Sequence, residues 1–208
     1  MDSRNRRQLN FLETLKSFEG VLAGTDEAGR GPLAGPVVAA AVVLTKKQEE
    51  TLLNLGLDDS KRLSPKKREA LFLAMNDLKV LWRAQAESVR TIDRINISAA
   101  SLRAMGRSLQ KLPLPVDLAV IDGLLEIPDL PIRQQTLVAA DALVPAVSAA
   151  SVVAKVLRDR VMMALDRLYP EYGFAKHKGY PTEVHRRAVR TFGLSPVHRV
   201  TFCKKLIP

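Results

Sequence analysis

The sequence predicts an α/β domain, in which the strands of a central sheet alternate with amphipathic helices. Three apolar runs bounded by glycine or proline have the length and valine content of buried strands: "VLAGTDEAG", "GPVVAAAVVL" and "PVDLAVIDGL". Longer segments between and after them repeat apolar residues every three or four positions, as one face of a helix does. Together these observations favour a sheet covered by helices.

The first two runs are expected to be neighbouring strands, and a helix is expected after them. Ser64 is a suitable N-cap residue and Pro65 would occupy the first helical position. Leu71, Met75 and Leu78 then form an apolar stripe at helical spacing. The following segment, "LWRAQAESV", alternates roughly every second residue and predicts another strand.

Two longer helices are predicted farther along the chain. The segment "INISAASLRAMGRSLQKL" is expected to bury one face, made of Leu102, Met105, Leu109 and Leu112. The segment "SAASVVAKVLRDRVMMALDRLY" gives the strongest helical pattern, with an expected inner face of Val153, Leu157, Val161, Ala164 and Leu168. Between them, "VIDG" should end a strand at Asp122, and "QQTLVAADALV" should form a short strand that runs into Asp141.

Both ends of the chain carry apolar residues at helical spacing. Leu9, Leu12 and Leu15 at helical spacing indicate a helix or a flexible lead-in over residues 1–19. "EVHRRAVRTFG" predicts a short helix capped by Thr182 and ended by Gly193. We therefore predict a lead-in over residues 1–19 and one domain over 20–208, with a C-terminal helical part from about residue 165.

Composition limits the possible functions. The 208-residue chain carries a formal net charge of +10, which favours a polyanionic partner such as nucleic acid or an anionic membrane surface. A single cysteine, Cys203, excludes an internal disulfide and fits a reducing compartment. The first twenty residues have no apolar core typical of a secretory signal, and no run of about 18 apolar residues occurs. A cytoplasmic location is the expectation.

Four carboxylates lie at or near the ends of the predicted strands: Asp26, Glu27, Asp122 and Asp141. Strand ends are where α/β folds present chemistry, and acids crowded there need cations. Mg²⁺ and Mn²⁺ prefer oxygen ligands, and two such ions can clamp the attacking and leaving oxygens of a phosphodiester. Side chains of adjacent strand residues point to opposite faces, so Asp26 and Glu27 reach one site only if the strand ends or bulges between them. An irregular strand end is therefore expected.

Several segments are very similar to the signature segments of bacterial ribonuclease HII, in the order of that family. They are "GTDEAGRGPLAGPVVAAAVVL", "LDDSKRLSPKKRE", "IDRINI", "VIDG", "DALVPAVSAASVVAKVLRDR", "YPEYGFAKHKGYPT" and "SPVHRVTF", and they cover most of the chain from about residue 22 to residue 202. The resemblance implies the ribonuclease H-like fold, a central mixed five-stranded sheet flanked by helices with a C-terminal helical extension. It also implies cleavage of RNA in RNA–DNA hybrids and incision 5′ to single ribonucleotides in duplex DNA, which leaves 3′-hydroxyl and 5′-phosphate ends.

The resemblance also implies roles for individual residues. The metal-binding acids of the family match Asp26, Glu27, Asp122 and Asp141, which would hold Mn²⁺ or Mg²⁺. The substrate-binding set implied by the family motifs, with Lys155 added because it lies in a signature segment, is Gly29, Arg30, Gly31, Ser60, Lys61, Lys155 and Tyr180; Ser60 and Lys61 belong to a segment, Asp59 to Lys61, that approaches a backbone phosphate in the family. Glycines let backbone groups approach a sugar, and a 2′-hydroxyl is what separates RNA from DNA.

Other basic residues could line a duplex-binding face: Arg62, Lys66, Lys67, Arg158, Lys176, Lys178, Arg186, Arg187 and Arg190. Two alternatives stay open at this point, namely a non-catalytic nucleic-acid-binding protein and another nuclease of the same superfamily. A monomer is the default expectation. The tail "CKKLIP" shows no recognisable docking motif, which leaves protein partners open.

Overall fold

The structure, a computed structural model, describes residues 3–206 of the chain. One mixed sheet has the strand order β3-β2-β1-β4-β5. Its strands are β1 (Leu22–Ala28), β2 (Val37–Val43), β3 (Leu81–Glu87), β4 (Leu118–Asp122) and β5 (Arg133–Leu137). The pairs β1–β2 and β2–β3 are antiparallel, whereas β1–β4 and β4–β5 are parallel. The predicted α/β class and mixed five-stranded sheet are confirmed.

Helices flank this sheet and form the C-terminal part. They are α1 (Ser3–Lys16), α2 (Lys46–Asn54), α3 (Pro65–Asp77), α4 (Val89–Ile95), α5 (Ile97–Gln110), α6 (Pro145–Leu168), α7 (Phe174–His177), α8 (Glu183–Phe192) and α9 (Val200–Cys203). Short 3₁₀ turns occupy Ala140–Ala142 and Pro170–Tyr172. Within residues 3–206, no helix is long and apolar enough to cross a lipid bilayer.

The two faces of the sheet are covered by different helices because strand side chains alternate between faces. Ala40 and Val42 of β2 pack with α3 and α6, while Ala39 and Ala41 pack with α5. The α6 backbone approaches β1 so closely that a Cβ on Gly24 would lie 2.3 Å from the carbonyl carbon of Ala146. This close packing fixes α6 against the strand that carries Asp26.

The predicted start of α3 is confirmed in detail. Ser64 has an extended backbone, its hydroxyl accepts from the Lys67 N–H, and Pro65 opens the helix. Leu71 and Met75 are buried on the inner face. The preceding helix α2 was not predicted, although Thr45 and Gln48 form a capping box that its sequence offered as a signal.

The expected inner face of α6 is wrong in its second half. Val161 and Leu168 are exposed, whereas Arg158 and Met162 are buried. The first half of α6 is apolar nearly all round and buried between other elements, so its pattern does not define a single face. The second half of α6 packs against the C-terminal segments, so a different face of the helix is buried there.

Both ends of the described chain pack on the domain. Leu12 and Leu15 of α1 contact the cluster that contains Leu118 and Val120, while the side chain of Leu9 lies outside the described residues. At the other end, Met162 packs with Ala34 and Phe174, among other residues of the C-terminal helical part. This second cluster places the C-terminal helices beside the loop that follows β1.

Candidate active site

Three of the four predicted acids converge at one edge of the sheet. Asp26 lies near the end of β1, Asp122 is the last residue of β4, and Asp141 sits in the 3₁₀ turn before α6. Because β1 and β4 are parallel neighbours, their carboxyl ends meet at the same edge. One carboxylate oxygen from each residue lies within 4.8 Å of the other two. This acid cluster (Asp26, Asp122 and Asp141) has the spacing and the oxygen donors that a divalent cation requires.

The predicted break between Asp26 and Glu27 is wrong. Strand β1 continues in regular register to Ala28, with Asp26 opposite Ala40 and Glu27 opposite Ala39 on β2. Adjacent side chains of a regular strand leave on opposite faces, which is why Glu27 is not a member of the acid cluster. Glu27 lies beside the cluster instead, and its Oε1 accepts from Arg30 Nη1 at 3.2 Å.

The acidic side chains lie close together and are largely buried. Burial, followed by the charges of Glu27 and Asp122, raises the pKa of Asp26 well above its ordinary value. Burial and then the charge of Asp141 raise the pKa of Asp122. Burial also raises the pKa of Glu27, although Arg30 opposes this. Such shifts mean that the ionised carboxylates repel one another and would be stabilised by a cation.

One buried carboxylate oxygen at the site has no hydrogen-bond partner within residues 3–206. Glu27 Oε2 is buried and forms no hydrogen bond with any group among the described residues. A buried carboxylate oxygen without a partner carries a desolvation cost that a bound ion would offset. Together with the acid cluster, this oxygen shows that the residues present fit a divalent metal ion.

The segment Asp59–Lys61 contacts the acid cluster from a loop before α3. Lys61 Nζ donates to Asp141 Oδ2 at 2.8 Å, while 73% of the Lys61 side chain is exposed. Ser60 is buried instead, and its hydroxyl lies 2.8 Å from the hydroxyl of Ser151 on α6. Lys61 is therefore placed to meet a ligand at the acids, whereas the Ser60 side chain anchors the loop to α6.

The Gly29–Gly31 segment leaves β1 directly beside the acids. Gly29 has a φ of +103°, and a Cβ there would lie 2.0 Å from Arg158 Nε, so no other residue fits without rearrangement. The Arg30 side chain is 54% exposed and pairs with Glu27. Arg30 and Gly31 are both exposed, which leaves this turn open to a ligand.

Tyr180 lies against the same turn from the C-terminal part. It is 40% exposed, and a Cβ on Gly31 would lie 3.8 Å from Tyr180 Cε1. Lys155 Nζ and the Arg158 guanidinium carbon each lie 5.8 Å from the centre of the Tyr180 ring. Lys155 also pairs with Asp159 at 2.7 Å. The structure thus brings the predicted Tyr180 next to Gly31 and places the predicted Lys155 near the Tyr180 ring.

Two arginines near the Gly29–Gly31 segment are buried, which the sequence did not predict. Arg158 was counted among residues that could line a duplex-binding face, but it is fully buried. Arg199, which was not singled out, is also fully buried and donates to the carbonyl oxygens of Gly29 and Arg30. Arg199 lies in the signature segment "SPVHRVTF", which could have marked it as functional. Its contact with Gly29 could not be predicted because the two residues are 170 positions apart in the chain.

The three histidines form one cluster next to the backbone of Tyr180. His185 Nε2 lies 3.0 Å from His198 Nε2, and the rings of His177 and His185 stack with centres 4.4 Å apart. His185 Nδ1 lies 2.9 Å from the carbonyl oxygen of Tyr180. The cluster therefore supports the backbone of the segment that carries Tyr180.

Comparison with known proteins agrees with this geometry. The family model described as ribonuclease HII matches residues 23–205. A ribonuclease HII from Marinomonas sp. (strain MWYL1) is 48% identical over 185 residues, which cover 89% of this chain and 91% of the relative. A ribonuclease HII from Coxiella burnetii (strain RSA 493) is 50% identical over 183 residues, which cover 88% of each.

Solved structures show the same fold. The ribonuclease H2 from Pyrococcus horikoshii superposes with a TM-score of 0.74 at 28% identity, covering 89% of this chain and 96% of that one. The ribonuclease HII of Archaeoglobus fulgidus, solved in a complex with PCNA, gives a TM-score of 0.75 at 26% identity with the same coverage. The acid cluster at the sheet edge, the matched length and the level of identity all lead to one conclusion: the chain belongs to the ribonuclease HII family and is a ribonuclease H, an endonuclease for the RNA strand of RNA–DNA hybrids.

Proposed function

We propose that this ribonuclease H also incises duplex DNA on the 5′ side of a single embedded ribonucleotide, in a reaction that depends on Mn²⁺ or Mg²⁺. The products are a 3′-hydroxyl and a 5′-phosphate. The observation that carries the proposal is the adjacency of two features, the acid cluster and the exposed turn Gly29–Gly31 with Tyr180 beside it. The first suits phosphodiester hydrolysis and the second suits inspection of one sugar.

The acids supply the catalytic part of the proposal. Asp26, Asp122 and Asp141 would hold the metal together with Glu27, whose buried Oε2 has no partner among the described residues. Two bound divalent ions supply a water of lowered pKa and stabilise the charge of the leaving 3′-oxygen. The Asp122 carboxylate accepts from the Ala140 N–H at 2.8 Å, which fixes its orientation toward the neighbouring Asp141.

The turn after β1 would distinguish a ribonucleotide from a deoxyribonucleotide. A 2′-hydroxyl is both donor and acceptor, and glycine lets backbone N–H and C=O groups approach a sugar closely. The exposed Gly31 and the backbone of Arg30 offer such an approach, and the Arg30 guanidinium can hold the adjacent phosphate. Tyr180 packs on the following sugar, which would demand deoxyribose at that position.

Exposed lysine and arginine side chains would bind the duplex through its phosphates, independently of the nucleotide sequence. Lys61 reaches the acids, and Arg187 and Arg190 of α8 are exposed cations of the C-terminal part. Each cation that neutralises a phosphate steepens the dependence of affinity on salt. A fully exposed phosphate contact of this kind adds affinity without selecting the sugar.

A cleavage assay with matched duplexes tests the proposal. The end-labelled substrates are a DNA duplex with one ribonucleotide, the same duplex without it, and a hybrid with an all-RNA strand. We expect cleavage of the first and third with Mn²⁺ or Mg²⁺, none of the second, and none of any with EDTA. Mapping of the product ends should place the cut 5′ to the ribonucleotide.

The variant Asp26→Asn should lose this cleavage, while Asp77→Asn, an exposed acid at the end of α3, serves as the control with the same change of charge. Binding of all three duplexes without cleavage would favour the non-catalytic alternative. If only the hybrid with the all-RNA strand were cleaved, the result would agree with ribonuclease H activity. It would contradict the proposed incision at single ribonucleotides.

A further inference from the structure

Two fully buried arginines, Arg158 and Arg199, lie beneath the turn Gly29–Gly31. Burying a guanidinium is costly unless it is paired, and buried arginines usually face carboxylates. Neither residue forms an ion pair within the part of the chain that the structure describes. Their hydrogen-bond partners are backbone carbonyl oxygens instead, so their burial serves to hold backbone.

The carbonyl partners of Arg199 are the two ends of one loop. Its Nη2 donates to Gly29 O at 2.6 Å and to Gly35 O at 2.9 Å, and its Nη1 donates to Arg30 O at 2.8 Å. Its Nε donates to Gly35 O at 3.0 Å. A planar fork of five donors makes these contacts simultaneously, which an ammonium group does not. Burial and the charge of Arg158 lower the pKa of Arg199 to about 9, which leaves it charged at neutral pH.

These contacts determine where the opposite side of each peptide points. In a trans peptide the carbonyl oxygen and the N–H of the next residue project to opposite sides. Because the carbonyls of Gly29 and Arg30 point inward to Arg199, the N–H groups of Arg30 and Gly31 point outward. Within residues 3–206, neither of these two N–H groups donates to another protein group. They are free donors on the exposed face of the turn.

Arg158 links the same turn to the segment that carries Tyr180. Its Nε donates to Pro36 O at 3.1 Å, its Nη2 to Ala34 O at 3.2 Å and its Nη1 to Lys178 O at 3.0 Å. The loop is therefore held on its buried side by two guanidinium groups, of which Arg199 alone donates hydrogen bonds to the carbonyl oxygens of Gly29 and Arg30. This separates the orientation of the N–H donors from the attachment of Tyr180.

We infer that Arg199 is a positioning residue for ribose selection: it fixes the two peptide planes whose N–H groups, on Arg30 and Gly31, are presented to the 2′-hydroxyl of the substrate. Arg199 itself is buried and does not touch the substrate. The inference rests on the proposed function, because it assigns the origin of the preference for a ribonucleotide. It extends that proposal to a residue 170 positions away in the chain.

The test compares Arg199→Lys with the wild type on two duplexes that differ in one 2′-hydroxyl. The measured quantities are kcat/KM for the duplex with one ribonucleotide and the inhibition constant of the all-DNA duplex as a competitor. We expect kcat/KM to fall by about tenfold, since donors that are no longer held lose their hydrogen bonds, while the inhibition constant changes by less than about twofold. A merely structural role would weaken binding of both duplexes alike and leave the ratio of kcat/KM to the reciprocal of the inhibition constant unchanged.

Asp93→Asn is the matched control, because the Asp93 carboxylate accepts from the N–H groups of Val200 and Thr201, directly after Arg199. This variant should loosen the same segment and lower the unfolding temperature, but the ratio should stay at its wild-type value. Retention of the full ratio by Arg199→Lys, with a wild type that discriminates, would overturn the inference alone. A wild type that does not discriminate would instead contradict the proposed function.

A second measurement does not depend on folding of the Arg199 variant. In the Asp26→Asn protein, the amide resonances of Arg30 and Gly31 should shift differently on binding the ribonucleotide duplex and the all-DNA duplex. Identical shifts with both duplexes would contradict the inference, because donors aimed at the 2′-hydroxyl must sense its presence.

Discussion

Lys61 Nζ donates to Asp141 Oδ2 at 2.8 Å, so an exposed ammonium group neutralises one acid of a buried cluster. Burial alone would lower the pKa of Lys61, but the hydrogen bond and charge of Asp141 hold it above its ordinary value. Lys61 therefore stays charged at neutral pH and competes with a cation for Asp141. The same side chain is exposed enough to turn toward a phosphate once a metal ion is bound.

Lys61→Gln should bind metal more tightly and bind substrate more weakly. Removal of a competing charge from an exposed ion pair should lower the half-saturating Mn²⁺ concentration by about two- to fivefold. The KM for the ribonucleotide duplex should rise because a phosphate contact is lost. Activity titrated with Mn²⁺ at saturating duplex measures the first effect. Arg62→Gln, which removes the same charge from a pair with Asp58, should leave the metal titration unchanged.

Asp26→Asn should abolish cleavage and yet stabilise the metal-free protein. The raised pKa of Asp26 means that its ionised form is disfavoured in the fold at neutral pH, and the neutral amide removes that cost. We expect the unfolding temperature in EDTA to rise by about 2–4 °C, as for a gain of about 1 kcal/mol in a chain of this size. Loss of a metal ligand should lower kcat by about 100-fold or more. An unfolding temperature below that of the wild type in EDTA would contradict this account.

The close packing of α6 on β1 predicts different effects for two glycine substitutions. In Gly24→Ala the new Cβ would lie 2.3 Å from the backbone nitrogen of Val147, and overpacking of this kind costs about 1–3 kcal/mol. In Gly31→Ala the nearest atom is Tyr180 Cε1 at 3.8 Å, an ordinary contact, so stability should change by less than about 0.5 kcal/mol. Denaturant unfolding measures both changes. Equal losses of stability would mean that α6 yields to the added methyl group.

Tyr180 should matter more for single ribonucleotides than for long RNA strands. Its half-exposed ring next to Gly31 suits packing on the sugar that follows the ribonucleotide. Tyr180→Ala should lower kcat/KM for the single-ribonucleotide duplex by about tenfold, the scale of one lost stacking contact. Tyr180→Phe retains the ring and should keep most of this activity. Rates with the all-RNA hybrid provide the reference, and an equal loss on both substrates would contradict a role at the RNA-to-DNA step.

The histidine cluster predicts a loss of stability in acid. Burial, followed by the charge of His185, lowers the pKa of His198 to about 4, whereas an unfolded histidine titrates near 6.5. The unfolded state therefore takes up the proton first, so stability is fully present above pH 6.5 and falls as the pH drops toward 4. The full loss attributable to His198 is on the order of 3 kcal/mol.

The control for this effect is His198→Asn, which keeps an acceptor for the Ser195 N–H but does not titrate in this range. Unfolding free energies measured at several values between pH 7 and pH 5 should fall less steeply for this variant than for the wild type. Parallel curves for the two proteins would show that His198 is not the source of the acid sensitivity.

Elements whose signals are local can be predicted from the amino-acid sequence alone. Asp122 at a strand end, Ser64 and Pro65 at a helix start, and the alternation of strands with helices follow from spacing and from the conformational preferences of single residues. The similarity of its motifs to ribonuclease HII added the identity of the four acids. These features need no knowledge of which segments meet in space.

Features that depend on residues far apart in the chain follow from tertiary packing and were not predicted. Glu27 stays in a regular strand because β2 pairs with β1 through Ala28, so it lies beside the acid cluster and outside it. Arg158 is buried and not on the surface because the C-terminal helices cover that part of α6. Arg199 meets Gly29 across 170 positions. Periodicity reports the neighbours of a residue along the chain, whereas burial and hydrogen-bond partners depend on how the whole chain packs.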